Sequence, residues 1–101
     1  DGDQLFRLGG DEFIALLPAT AAIDAGHIGD RLRVAAAAAA MRVLPGGPPV
    51  TASVGVAEVP PGEDGVERAR ESADRALYAA KRRGRNRVVT AVTPVGSEVG
   101  M

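Results

Sequence analysis

The heptapeptide Arg7-Leu8-Gly9-Gly10-Asp11-Glu12-Phe13 constrains this chain more than any other stretch. Leu5, Phe6 and Leu8 lie before the glycines and the apolar run Phe13 to Leu17 follows, so Gly-Gly stands between two strand patterns. Gly-Gly in that place reads as a tight hairpin, because both residues can adopt φ > 0 without steric penalty. The hairpin projects Asp11 and Glu12 from its tip, where adjacent carboxylates repel until a divalent cation binds between them. Bare glycine backbone beside them leaves room for a nucleotide to approach. These residues propose a site for a metal and a phosphate; the alternative is a solvated acidic turn.

A chain of 101 residues forms one domain at most, and by size scaling it buries roughly 60–65% of its unfolded surface. Its aromatics are limited to Phe6, Phe13 and Tyr78, so the core is built from Val, Leu, Ile and Ala. A formal net charge of −1 gives no electrostatic argument for nucleic acid. Without cysteine there is neither a disulfide framework nor a thiolate metal site. The run Val34 to Met41 is too short to span a bilayer, and no basic segment followed by an apolar core opens the sequence. The expectation is a cytoplasmic domain with no membrane contact from this segment. The abrupt start at Asp1, inside what reads as a turn leading into a strand, points to an excised or truncated piece.

Strand and helix patterns alternate along the chain. Gln4 to Leu8 and Phe13 to Leu17 read as the hairpin strands, with Pro18 ending the second. Thr20 is placed to N-cap a helix opening at Ala21. Ile28, Leu32, Ala35/Ala36 and Ala39 share one helical face, whereas Asp24, His27 and Arg31 fall on another, where His27 is solvated. The run Ala35 to Ala40 is expected to pack closely against a sheet. Pro45-Gly46-Gly47-Pro48-Pro49 breaks the chain, and Val50 to Ala57 then alternates. Thr51, Ser53, Gly55 and Ala57 make one face of that strand small, which suits close helix packing or leaves space for a ligand. Pro60-Pro61-Gly62 closes it. Val66, Ala69, Ala73, Ala76, Leu77 and Ala80 form the stripe of a second helix, capped by a left-handed Gly84. Asn86 to Val92 reads as a last strand, and residues 93–101 as a tail.

Lys81, Arg82, Arg83, Arg85 and Arg87 crowd the end of the second helix. Cations are favoured at a helix C-terminus for their own sake. Asp74, Tyr78 and Lys81 also share one helix face, so Lys81 and Arg85 can cooperate on an anion just beyond the helix end. A phosphate chain suits them, with Lys as point charge and Arg as bidentate fork.

The ordered blocks RLGGDEF, SVGVA and ADRALYAAKRRGRN resemble the GGDEF domains of diguanylate cyclases, with a match covering Asp3 to Val89. The resemblance implies an α/β fold, an α+β sandwich in the order β-hairpin–α–β–α–β, similar to the adenylyl cyclase and polymerase palm, with a central sheet flanked by helices. It implies condensation of two GTP molecules into cyclic di-GMP with loss of two pyrophosphates, by two-metal phosphoryl chemistry with Mg2+ or Mn2+. Gly9 and Gly10 match the glycines on which the nucleotide lies. Asp11 matches the metal-binding carboxylate that activates the attacking hydroxyl, and Glu12 the second carboxylate of the metal site. Lys81 and Arg85 match the pair on the β- and γ-phosphates, whereas Phe13 is structural. Each subunit supplies one GTP, so catalysis implies a homodimer. Asp3 matches the Asp of the family's inhibitory RxxD motif, whose Arg falls before Asp1, and Arg31 is placed to serve the same cyclic di-GMP site.

The family pattern has a strand and two helices ahead of Asp1, carrying another metal-binding Asp and the residues that read guanine. On this reading, residues 1–92 are a partial domain and 93–101 its tail. The missing strand is central in the family's sheet, so unpaired backbone groups are expected at the gap. The chain alone is then expected to show little cyclase activity. The alternatives are a non-catalytic module binding nucleotide or cyclic di-GMP, and a dimerising remnant.

Overall fold

The computed structural model describes residues 2–43, 45–47 and 50–91, without the side chain of Ala22. The expected tail 93–101, together with Val92, Pro48 and Pro49, lies outside the described residues. The elements run β1 (Gln4–Gly9), β2 (Glu12–Pro18), α1 (Ala22–Val43), β3 (Ser53–Val59), α2 (Gly65–Arg82) and β4 (Val88–Ala91). This is the expected mixed α/β order. The four strands form one sheet in the order β1-β2-β3-β4. β1 and β2 are antiparallel, while β2 to β3 and β3 to β4 are parallel pairs. No gap interrupts the sheet: Glu12 to Pro18 of β2 pair along their length with Ser53 to Val59 of β3. The expected unpaired groups are therefore absent between these strands, because two parallel strands with matched apolar faces satisfy one another's hydrogen bonds.

Alternation decides which face each helix covers. Ile14, Leu16 and Ala57 point to α2 and pack on its buried stripe of Ala69, Ala73 and Leu77. Ala15, Leu17, Val54 and Val56 point the other way and meet Ala25, Ile28 and Leu32 of α1. The small face of β3 serves close packing. A Cβ on Gly55 would stand 2.3 Å from the Ala73 carbonyl oxygen and 2.5 Å from the Leu77 nitrogen, so α2 rests directly on bare backbone. Val66, expected in the α2 stripe, is instead exposed, and Gly65 is buried in its place.

Two expectations about α1 change. Thr20 does not cap the helix; its hydroxyl donates to the Pro18 carbonyl at 2.8 Å, and the first turn closes from the Ala25 amide to the Ala21 carbonyl. Nor does the alanine run pack tightly. Ala35, Ala36, Ala39 and Ala40 face a cleft of about 620 Å³ whose opposite wall includes Phe13, Val50 and Ala52. Alanine side chains are too short to reach the sheet once the helix has run past Leu32. Among the described residues, no helix is long and apolar enough to cross a membrane.

Candidate active site

The hairpin tip is held by a side chain rather than by glycine conformation. Neither Gly9 nor Gly10 has positive φ, contrary to the expectation from Gly-Gly. The strand register instead shifts between Arg7 and Gly9, and Gly9 pairs with Glu12. The Arg7 guanidinium folds over the turn, its Nε donating to the Gly9 carbonyl at 3.0 Å and its Nη2 to the Gly10 carbonyl at 2.9 Å. Arg7 is a functional candidate that the sequence left unassigned; an arginine two residues before a Gly-Gly turn is the signal. The glycines contribute space: a Cβ on Gly10 would meet nothing within 4 Å, while one on Gly9 would touch Glu12 at 3.4 Å.

Strand alternation sends the neighbours of the tip to different sides. Glu12, in phase with Ile14 and Leu16, turns to the α2 side, where its Oε2 lies 3.3 Å from Lys81 Nζ and 3.8 Å from Arg85 Nη1. Asp11 lines the cleft on the α1 side together with Arg7, Gly10 and Phe13. Among the described residues Asp11 has no cationic partner within ion-pair distance. The structure thus brings Glu12, Lys81 and Arg85 together at one end of the sheet, with Gly9, Gly10 and Asp11 adjoining them along the chain.

Arg85 reaches Glu12 because of how α2 ends. Gly84 has φ 118°, and its amide donates to Lys81 while the Arg85 amide donates to Ala80 at 2.9 Å, which together form a Schellman termination. The expected glycine cap is in place. Arg85 and Asn86 continue in left-handed conformation with φ 62° and 50°, which reverses the chain towards β4 and aims Arg85 back at the hairpin. Arg33 of α1 donates to Asn86 Oδ1 at 2.8 Å and pairs with Asp30 at 2.8 Å. Nothing in the spacing of α1 announced that contact.

Asp11 and Glu12 offer only carboxylate oxygens, the hard donors that Mg2+ or Mn2+ accept. Among the described residues no cluster of three or more acidic or histidine ligands exists. The two carboxylates stand on different sides of the tip, contrary to the expectation of a cation held between them, so their chemistry fits an ion bound through one of them that completes its shell with water and phosphate oxygens rather than one caged by protein. Asp3 and Arg31 are both exposed, on the lead into β1 and on α1, and no hydrogen bond or ion pair joins them. Arg31 lies in a shallow depression with Asp24, His27, Ile28 and Asp30.

The family model described as "Diguanylate cyclase, GGDEF domain" matches residues 1–87. Among curated proteins, the diguanylate cyclase DgcM of Escherichia coli is 40% identical over 90 residues, covering 89% of this chain and 21% of that protein. The diguanylate cyclase DgcP of Pseudomonas aeruginosa is 40% identical over 89 residues, covering 88% of this chain and 13% of its own. The response regulator PleD of Caulobacter vibrioides is 38% identical over 85 residues, covering 82% and 19%. The chain thus spans about a fifth or less of the length of these relatives. No solved structure matches it at significance.

Proposed function

This chain belongs to the GGDEF domain family of diguanylate cyclases, and from that premise we propose that it forms a diguanylate cyclase half-site, which condenses two GTP into cyclic di-GMP with release of pyrophosphate. The observation that carries the reading is the convergence of Lys81 and Arg85 on the Glu12 carboxylate, at 3.3 and 3.8 Å. Two cations from the end of one helix already grip an anion beside an open glycine turn. The β- and γ-phosphates of GTP are stronger anions of the same kind, and they take Lys81 and Arg85 from Glu12. Asp11 would hold Mg2+ or Mn2+ through its carboxylate oxygens, and Glu12, once released, would have to turn from the α2 side to serve as a second oxygen donor. When bound, the ion neutralises the charge that develops on the phosphates during transfer.

Asp11 borders the cleft and takes the proton of the ribose 3′-hydroxyl. The freed oxygen bonds to the α-phosphorus of the partner's GTP, and the bond from that phosphorus to pyrophosphate breaks. Gly10 lets the nucleotide lie against the turn, since no side chain fills that space. Each domain holds one GTP, so ring closure takes two domains face to face.

The test is chromatographic detection of product from Mg·GTP by the intact protein, compared with D11N and E12Q. Each amide is expected to lower the yield about 100-fold or more, as loss of a charge-stabilising group does, with the circular dichroism spectrum unchanged. Full product yield from both would overturn the reading. Asp3 and Arg31 remain the candidates for a product site. D3N and R31A should relieve inhibition by added cyclic di-GMP without changing the initial rate.

A further inference from the structure

Ser53 lies between the two halves of this site and contacts both. It is the first residue of β3 and is fully buried, with 0% exposure, and it is the one buried polar side chain among the described residues. Its amide donates to the Asp11 carbonyl at 2.8 Å, and its Oγ accepts from the Asn86 amide at 3.1 Å. A chain of two hydrogen bonds therefore runs from the backbone of the carboxylate hairpin, through one residue, to the backbone beside Arg85.

That link bears on a conformation that needs support. Gly84, Arg85 and Asn86 are three successive residues with positive φ, and only the first is glycine. Such a run persists where the surroundings hold it. Its restraints are the Arg85 amide on Ala80, the Val54 amide on the Arg87 carbonyl, Arg33 on the Asn86 side chain, and Ser53 on the Asn86 amide. The Arg33 bond is exposed and competes with water, whereas the Ser53 oxygen is sealed from it. The left-handed run is what turns Arg85 towards Glu12, so the hydroxyl that fixes Asn86 also fixes where the guanidinium stands.

We propose that Ser53 is a positioning residue of the nucleotide site, whose buried hydroxyl sets the Arg85 guanidinium against the Asp11–Glu12 hairpin. The inference rests on the reading of Lys81 and Arg85 as phosphate ligands. Replacing Ser53 by Ala removes the acceptor for Asn86 but leaves the backbone bond to Asp11, so the sheet survives while the loop is released. Thr keeps an oxygen at the same carbon and is suited to a strand.

The experiment is a double-mutant cycle in Mg·GTP affinity, measured by calorimetry on the intact protein, with S53A, S53T, R85A, S53A/R85A and K81A. It is done where every variant is folded by circular dichroism. S53A is expected to weaken binding roughly tenfold, the scale of one hydrogen bond to a charged group, S53T to restore it, and S53A to add nothing once Arg85 is gone. Equal losses from S53A with and without Arg85, or unchanged affinity in S53A, would overturn the positioning role. Unchanged affinity in both K81A and R85A would overturn the phosphate-site reading instead, and this inference with it. Hydrogen exchange gives a readout without nucleotide: the Asn86 amide should exchange much faster in S53A than in wild type and return in S53T, while the Val54 amide stays protected. An Asn86 amide unaffected by S53A would also overturn the proposal.

Discussion

Gly10 and Glu12 separate what holds this molecule together from what it does. Gly10 has ordinary backbone dihedrals, and a methyl group there would touch nothing in the protein. G10A should therefore leave unfolding within about 0.5 kcal/mol of wild type, as surface substitutions do. On the proposed reading the added methyl stands where the nucleotide lies, so Mg·GTP affinity should fall clearly; calorimetry beside a urea melt reads both. Affinity matching wild type would show that the nucleotide does not approach this turn. Glu12 is the complementary case. Its side chain is 24% exposed and that of Lys81 31%, so their ion pair is screened by water and contributes about 1 kcal/mol or less. E12Q should accordingly melt close to wild type while product formation collapses. A large loss of stability in E12Q would mean that the pairing exists for the fold.

Among the elements, α2 is the most tightly fixed, and its contact with β3 is where a single atom costs most. A Cβ on Gly55 would overlap the Ala73 carbonyl and the Leu77 amide, both of them backbone that cannot swing aside. G55A should cost about 2–3 kcal/mol by forcing α2 outward, read as a lower midpoint in urea with little change in slope. Wild-type stability in G55A would mean that the helix does not rest on this strand. This contact was legible in the sequence, because alternating small residues opposite an alanine stripe leave few other arrangements. So was the turn at Gly84, since a glycine followed by a basic run at the end of a helical stripe is a capping signal. The hairpin was legible by position but not by mechanism: Gly-Gly suggested left-handed glycines, whereas Arg7 closes the turn through its guanidinium. α1 was the least legible element. Its periodicity fixed which face looks at the sheet, yet periodicity carries no information on the separation between helix and sheet, and so did not disclose the cleft beside Ala35 to Ala40. The continuation of the left-handed run through Arg85 and Asn86 was equally hidden, because beyond the local helix cap it is held by a tertiary hydrogen bond to Ser53 rather than by local propensity.

At the scale of the whole molecule, the hairpin and the end of α2, far apart in sequence, meet because β3 lies beside β2 and α2 crosses the sheet on the face to which Glu12 points. The site so formed lies at one end of the sheet and, on the proposed reading, takes one nucleotide's phosphates, while the proposed product joins two nucleotides through two phosphodiester bonds. Two half-sites must then act in turn, each activating the hydroxyl of its own GTP. A pair made of one intact domain and one D11N domain retains Lys81, Arg85 and the open glycines on both sides, so it still binds two GTP. It can form the first bond from the intact side, but the second hydroxyl stays unactivated and the ring stays open. Adding excess D11N protein to a fixed amount of wild type should therefore depress cyclic di-GMP formation well below the wild-type rate, by mass action on the mixed pairs. Linear pppGpG should accumulate in its place, which anion-exchange chromatography resolves from the cyclic product. Undiminished cyclic product at large excess, with no linear dinucleotide, would mean that one domain performs both transfers or that the copies do not meet at this face.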